Sequence, residues 1–259
     1  MTADHVLYRQ EGAVAYVTFN RPEAHNAMTF AMYDELVAIC DRAERDDSVR
    51  VLVLQGAGGK AFVSGTDIAQ FRSIQKPADA LAYEQRIESA LTRLEALGKP
   101  TIAAVQGFAV GGGCMLALAC DLRIVTPDAR FGAPIARTLG NCLSIGNIAR
   151  LLDVAGPALT KEMLFLARLL DAAEAKAIGL VNEVVPSEAL PVRVAEVAER
   201  LIANAPLTQW ATKEAIRRLQ SHRRGPAGED LIIRCYMSDD FREGVSAFLE
   251  KRQPRWKGH

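Results

Sequence analysis

Two glycine-bearing segments hold the residue types best suited to chemistry. The first is Ala61-Phe62-Val63-Ser64-Gly65-Thr66-Asp67-Ile68. The second is Gln106-Gly107-Phe108-Ala109-Val110-Gly111-Gly112-Gly113-Cys114. Each combines an apolar strand-like run, glycine and a following helical pattern. Glycine lets a backbone approach a ligand closely and adopt positive φ. The first-turn N–H groups of a helix lack an internal partner, so a glycine run entering a helix offers donors to an anion. Two such loops converging would form an oxyanion hole from main chain alone. The same glycines fit a plain tight turn or close helix packing, and residue types leave both readings open. Neither a P-loop nor the dinucleotide G-x-G-x-x-G spacing is present.

The elements that must position these loops alternate along the chain. Residues 14–19 read as a strand, ended by Asn20-Arg21-Pro22. Thr29 is a helix N-cap for residues 30–45, where Met32, Leu36, Ile39, Cys40 and Ala43 fall at helical spacing. Four aliphatics at 51–54 read as a buried strand. Residues 81–97 are helix-periodic through Ile87, Leu91 and Leu94. Strands at 101–105 and 122–125 flank an apolar helix at 114–120. This pattern predicts an α/β core over residues 1–191. Residues 192–259 form a helical region, with helices predicted over 192–203, 207–220, 228–237 and 240–251.

The chain has 259 residues, 49% apolar, enough for one sizeable core. Lys plus Arg and Asp plus Glu are both 31, so the balance predicts neither a nucleic-acid nor a membrane partner. The locally basic stretch 217–224 reads as a solvated turn. No apolar run is long enough for a membrane span, and the first residues lack signal-peptide character. Cys40, Cys114, Cys120, Cys142 and Cys235 show neither a disulfide framework nor metal-ligand spacing. They read as reduced thiols of a cytoplasmic protein, with no metal site expected.

Many motifs, in order, give the sequence its resemblance to the crotonase superfamily, the enoyl-CoA hydratase/isomerase family. They include Asn20-Arg21-Pro22-Glu23-Ala24-His25-Asn26-Ala27, Phe62-Val63-Ser64-Gly65-Thr66-Asp67 and Lys99-Pro100-Thr101 through Gln106-Gly107. Gly111-Gly112-Gly113-Cys114, Cys120-Asp121-Leu122-Arg123, Gly179-Leu180-Val181 and Arg242-Glu243-Gly244 follow. The resemblance implies a superhelix of ββα units with a helical C-terminal trimerisation region, assembling as a trimer or hexamer. It implies an acyl-CoA thioester as ligand, with coenzyme A as part of the substrate and no separate cofactor. The oxyanion N–H donors fall on Thr66 and Gly112. Substrate and CoA contacts fall on Ala24, His25, Ala27, Ser64, Gly65, Asp67, Ile68, Gly111, Pro134, Thr138, Phe248 and Lys251.

The resemblance also marks two departures. Hydratases of this family use two glutamates, at the positions of Met115 and of the residues after Phe131-Gly132-Ala133-Pro134; here Ile135-Ala136-Arg137 follow. Aryl-CoA dehalogenases place an aspartate near Asn141, counted back from Arg150. Asn141 could orient a carbonyl or water; Cys142 could be a nucleophile if Arg137 lowered its pKa, or a small apolar filler with Arg137 as a salt-bridge partner. Asp67 and Asp121 read as groups that fix backbone. The expected function is stabilisation of a thioester enolate, with standard hydration doubtful. The alternative is a noncatalytic acyl-CoA-binding or scaffold protein on the same fold.

Overall fold

The computed structural model describes residues 5–221 and 228–258. Residues 1–4 at the N-terminus, and residues 222–224 of the basic stretch, lie outside the described residues. The chain opens with the antiparallel hairpin β1 (Val6–Glu11) and β2 (Val14–Phe19). Helix α1 (Phe30–Arg45) follows, and the Thr29 hydroxyl caps it by accepting from Met32 N at 3.3 Å.

Three ββα units then repeat. The first is β3 (Val51–Gly56), β4 (Ala61–Val63) and α2 (Pro77–Glu95). The second is β5 (Thr101–Val105), β6 (Phe108–Val110) and α3 (Gly112–Ala119). The third is β7 (Leu122–Val125), β8 (Arg130–Gly132) and the short α4 (Ile135–Thr138), continued by α5 (Ile145–Phe165). The aliphatic strands β3, β5 and β7 are almost wholly buried, as parallel strands covered on both faces must be. Helix α5 is kinked at Gly156–Pro157, where proline cannot continue the helical hydrogen bonds.

Each unit gives its first strand to one sheet and its second to another. The larger sheet runs β1-β2-β3-β5-β7-β10, ending in β10 (Glu183–Val184). The smaller runs β4-β6-β8-β9, with β9 (Leu170–Asp171) antiparallel at its edge. Helix α6 (Ala172–Ala177) joins β9 to β10. This is the superhelix of ββα units the resemblance implied.

Helices complete the chain: α7 (Leu190–Ala203), α8 (Pro206–Ser221), α9 (Glu229–Tyr236) and α10 (Asp239–Leu249). Helix α7 packs Leu190, Val194 and Ala198 against Val51, Val53, Ile102 and Ile124 of the larger sheet. Helix α9 packs on α2, and α10 on the turn at Ile68–Ser73. Leu231 of α9 stays exposed, whereas Ile232 is buried inside the chain rather than left for a neighbour.

Candidate active site

The smaller sheet determines where the site lies. Its strands β4, β6 and β8 are parallel neighbours, registered Ala61 to Phe108 and Val110 to Gly132. The loops leaving their C-terminal ends are therefore side by side. They carry Ser64 to Ile68, Gly111 to Gly112, and Pro134 to Thr138. Helix α3 can start this close to β4 only because Gly113 lacks a side chain. A Cβ there would stand 1.9 Å from Val63 O.

The first loop is laced to the segment before α1. Met28 N donates to Gly65 O at 2.8 Å, and Asp67 N donates to Met28 O at 2.8 Å. In this parallel bridge those two N–H groups are the donors, so Thr66 N faces the other way. It faces α3: a Cβ on Gly112 would lie 3.8 Å from Thr66 N, and a Cβ on Gly65 4.0 Å from Gly112 N. Gly112 is the first residue of α3, so its N–H has no intrahelical partner. Two backbone donors thus converge, one of them at the positive end of a helix dipole.

Asn26 anchors the segment holding Ala24, His25 and Ala27. It is fully buried, accepts from Arg21 N at 2.9 Å and donates to Ala57 O and Ala61 O at 2.9 and 2.7 Å. His25 is exposed, and its carbonyl accepts from Ser64 N at 3.1 Å. Asp67 pairs with Arg21 at 3.0 Å and accepts from Ala69 N at 3.1 Å. Asp121 accepts from Thr101 N and from Lys213 Nζ, each at 2.8 Å. Both aspartates therefore tie backbone segments together. Phe248 and Lys251 are exposed, on α10 and just after it.

Behind the two donors lies a buried cluster of hydroxyls that the sequence reading missed. Thr66 Oγ1 is 3.0 Å from the Tyr33 hydroxyl and accepts from the Tyr83 hydroxyl at 3.1 Å. The Tyr83 and Tyr236 rings are in contact, with centroids 5.8 Å apart. The Tyr236 hydroxyl donates to Glu84 Oε1 at 2.5 Å and accepts from Asn141 Nδ2 at 3.0 Å. Burial raises the Tyr33 phenol to about 12 and pushes Tyr83 and Tyr236 well up. Burial also lifts the Glu84 carboxyl to about 7, against the lowering effect of the Tyr236 hydrogen bond. One signal could have revealed Glu84. Counting back three and four from Ile87 along the apolar stripe of α2 gives Glu84 and Tyr83.

Met115 and Ile135-Ala136-Arg137 stand where the resemblance places two glutamates. Met115 is fully buried in α3, and Ile135 packs against the core. Arg137 is exposed and is not among the groups that shift the Cys142 thiol. The Cys142 thiol is instead pushed up, first by its hydrogen bond with Cys235 and then by burial. Cys142 also donates to Leu231 O at 3.6 Å. Thr138 donates to Pro134 O at 3.0 Å within α4. Arg150, buried in α5, forks onto Glu88 and Glu95 at 2.8 Å each. Among the described residues no three His, Cys, Asp or Glu side chains gather as a metal site.

A cleft of about 730 Å³ opens beside Asn141, lined also by Gly140, Cys235, Ser238 and Trp256. A second, of about 640 Å³, is lined by Asp121, Arg150 and Lys213 and includes neither Thr66 nor Gly112.

A ββα superhelix presenting two convergent N–H donors at its parallel strand ends is the architecture of acyl-thioester enzymes. The family model described as enoyl-CoA hydratase/isomerase matches residues 9–259. The chain is 36% identical to a short-chain-enoyl-CoA hydratase of Clostridium acetobutylicum, covering 98% of this chain and 97% of that one. It is 37% identical to a solved enoyl-CoA hydratase/carnithine racemase from Magnetospirillum magneticum, with a TM-score of 0.81 and coverage of 100% and 97%. A solved methylmalonyl-CoA decarboxylase in complex with 2-nitronate-propionyl-CoA is 28% identical, with a TM-score of 0.89 and 99% coverage of both chains. The chain belongs to the enoyl-CoA hydratase/isomerase family.

Proposed function

We propose that the protein is an acyl-CoA enzyme that binds the thioester carbonyl between Thr66 N and Gly112 N and stabilises the enolate formed from it. The convergence of those two donors at the ends of β4 and β6 carries this reading. The donors are backbone groups rather than side-chain functional groups, and each is typically worth about 10²–10³ in rate. The segment 24–27, held to the first loop through Ser64, is the place for the CoA moiety.

Hydration by the two-glutamate route is not what Met115 and Ile135-Ala136-Arg137 support, because none of these side chains moves a proton between substrate and water. A carboxylate-bearing acyl group that loses carbon dioxide needs little beyond the oxyanion hole. The likeness to the methylmalonyl-CoA decarboxylase favours that second reading. Self-association as a trimer or hexamer is supported by Leu207, Trp210, Ile216 and Leu219, which α8 leaves exposed. The five free cysteines suit a reducing, cytoplasmic setting. Among the described residues no helix is long and apolar enough to cross a membrane.

The test is binding and turnover across a panel of CoA thioesters, including butyryl-CoA, crotonyl-CoA and methylmalonyl-CoA, with the free acids as controls. Thioesters are expected to bind and free acids not to, with crotonyl-CoA hydration slow. Deuterium should enter the acyl α-position in heavy water. Binding without exchange or turnover of any thioester would leave the scaffold reading standing, and no binding would overturn both.

A further inference from the structure

Thr66 carries one of the two backbone donors, and its side chain is buried and doubly held. The residue is 7% exposed, and its hydroxyl meets phenols from two helices. Tyr33 of α1 is hydrogen-bonded to Thr66 Oγ1 at 3.0 Å, and the Tyr83 hydroxyl of α2 donates to the same atom at 3.1 Å. Both rings are fixed by packing. Tyr33 is 1% exposed, and Tyr83 meets Phe71 edge-on with centroids 4.9 Å apart. Burial raises both phenols, so both stay neutral near neutral pH. Tyr33 also abuts the second donor, since a Cβ on Gly112 would stand 2.6 Å from its hydroxyl. One phenol oxygen thus lies against both loops, bonded to Thr66 and leaving room only for glycine at 112.

The peptide unit bearing the Thr66 N–H needs such support. Gly65 precedes it at φ 108°, and glycine restrains its own dihedrals weakly. The backbone ties of this loop both run to Met28: Gly65 O accepts from Met28 N and Asp67 N donates to Met28 O, each at 2.8 Å. Those two bonds hinge the loop along one edge, and rotation about that edge would swing the Thr66 N–H. The Thr66 hydroxyl lies off the edge, held from α1 and α2, and its two bonds oppose the rotation.

We propose that Tyr33 and Tyr83 are positioning residues of the oxyanion hole, holding the Thr66 hydroxyl so that the Thr66 N–H stays aimed, with the Gly112 N–H, at the thioester oxygen. This rests on the enolate reading above. The donor itself is a backbone group; the side chains supply its aim. Neither phenol touches the substrate or moves a proton. A donor fixed before the enolate forms needs no reorganisation as charge develops on the oxygen. Such a site works only when it is held to within about 0.5 Å by packing and supporting hydrogen bonds, and a misplacement of about 1 Å costs about 10²-fold in rate.

The test is deuterium exchange into butyryl-CoA, with affinity and the infrared band of the bound ¹³C thioester carbonyl measured on the same variants. Tyr33→Phe combined with Tyr83→Phe removes both bonds to Thr66 Oγ1 and keeps both rings. Exchange should fall by about 10- to 100-fold, and by more than the product of the two single losses, because either phenol alone still holds the oxygen. Affinity should stay within about threefold, as for an interaction realised in the transition state. The bound carbonyl band should move toward its free frequency. Should the double variant fail to fold, Thr66→Ser and Thr66→Ala carry the decision, since both lose the methyl group and only serine keeps the oxygen. The serine variant should exchange at least about tenfold faster than the alanine variant, with its carbonyl band shifted further. An unaltered rate and band in the folded double variant, or equal rates in the serine and alanine variants, would overturn this proposal and leave the enolate reading intact. A fall in affinity as large as the fall in rate would mark a merely structural role and overturn it as well. Neither a carbonyl shift nor exchange in the unaltered protein would overturn both readings.

Discussion

Replacing Gly112 by alanine perturbs the oxyanion hole without altering its chemistry. The new Cβ would stand 2.6 Å from the Tyr33 hydroxyl, where ordinary contact begins at 3.4 Å, so about 0.8 Å must be found. Tyr33 is 1% exposed, with its ring fixed in the core, so the first turn of α3 is the part that moves. An oxyanion donor works within about 2.7–3.1 Å of its acceptor, and a displacement of this size takes the Gly112 N–H out of range. The expected loss is about 10²–10³-fold in α-proton exchange, equivalent to about 3–4 kcal/mol. Tyr33→Phe removes the obstructing oxygen and one hydrogen bond to Thr66 Oγ1, which retains Tyr83 as a partner. That single change should cost about 1 kcal/mol of stability. The double variant should exchange at least about tenfold faster than Gly112→Ala, a coupling of the kind residues in contact show. Exchange of butyryl-CoA α-protons, followed by NMR on variants with native circular dichroism, provides the assay. Full activity in Gly112→Ala, or a double variant no faster than the single one, would refute the assigned geometry.

Three further outcomes are expected. Arg150→Met strands the Glu88 and Glu95 carboxylates against α5 and should lower unfolding free energy by about 3–5 kcal/mol, read from urea titration. Asn26→Ala leaves Arg21 N without its acceptor and the Ala57 and Ala61 carbonyls without the Nδ2 donor; a loss of about 2–3 kcal/mol is expected, with weaker CoA binding in calorimetry. The Glu84 carboxyl is raised from 4.5 to about 7 in the folded chain, so between those values the native state holds a proton the unfolded chain has released. Stability should therefore fall with rising pH across that window, by roughly 3 kcal/mol, and level off above it; Glu84→Gln should lack this slope in pH-dependent denaturation.

Much of the fold could be read from local pattern. The aliphatic runs of β3 and β7, the Thr29 cap and the helical periodicity after residue 190 each follow from chemistry within a few residues. The smaller sheet could not be read in this way. Strands β4, β6 and β8 have three residues each, too few to show alternation, and all lie against glycines. Their pairing is nonlocal, yet it is what brings Thr66 and Gly112 together. The glycine loops themselves were legible, because residue type alone marks a backbone able to approach a ligand. Glu84 was not, since a helical glutamate ordinarily faces water. What makes it unusual is Tyr236, 152 positions away in sequence. Cys142 shows the same limit: its environment is set by Cys235 on α9, and the neighbouring Arg137 has no part in it.

The central claim is that the thioester carbonyl rests on Thr66 N and Gly112 N. Isotope-edited infrared spectroscopy of butyryl-CoA carrying a ¹³C thioester carbonyl measures this most directly, because two hydrogen bonds to the oxygen weaken the C=O bond. The account requires the bound carbonyl band to shift to lower frequency than in free butyryl-CoA, and the shift to shrink in Gly112→Ala. A bound ligand whose carbonyl absorbs at the free frequency would contradict it.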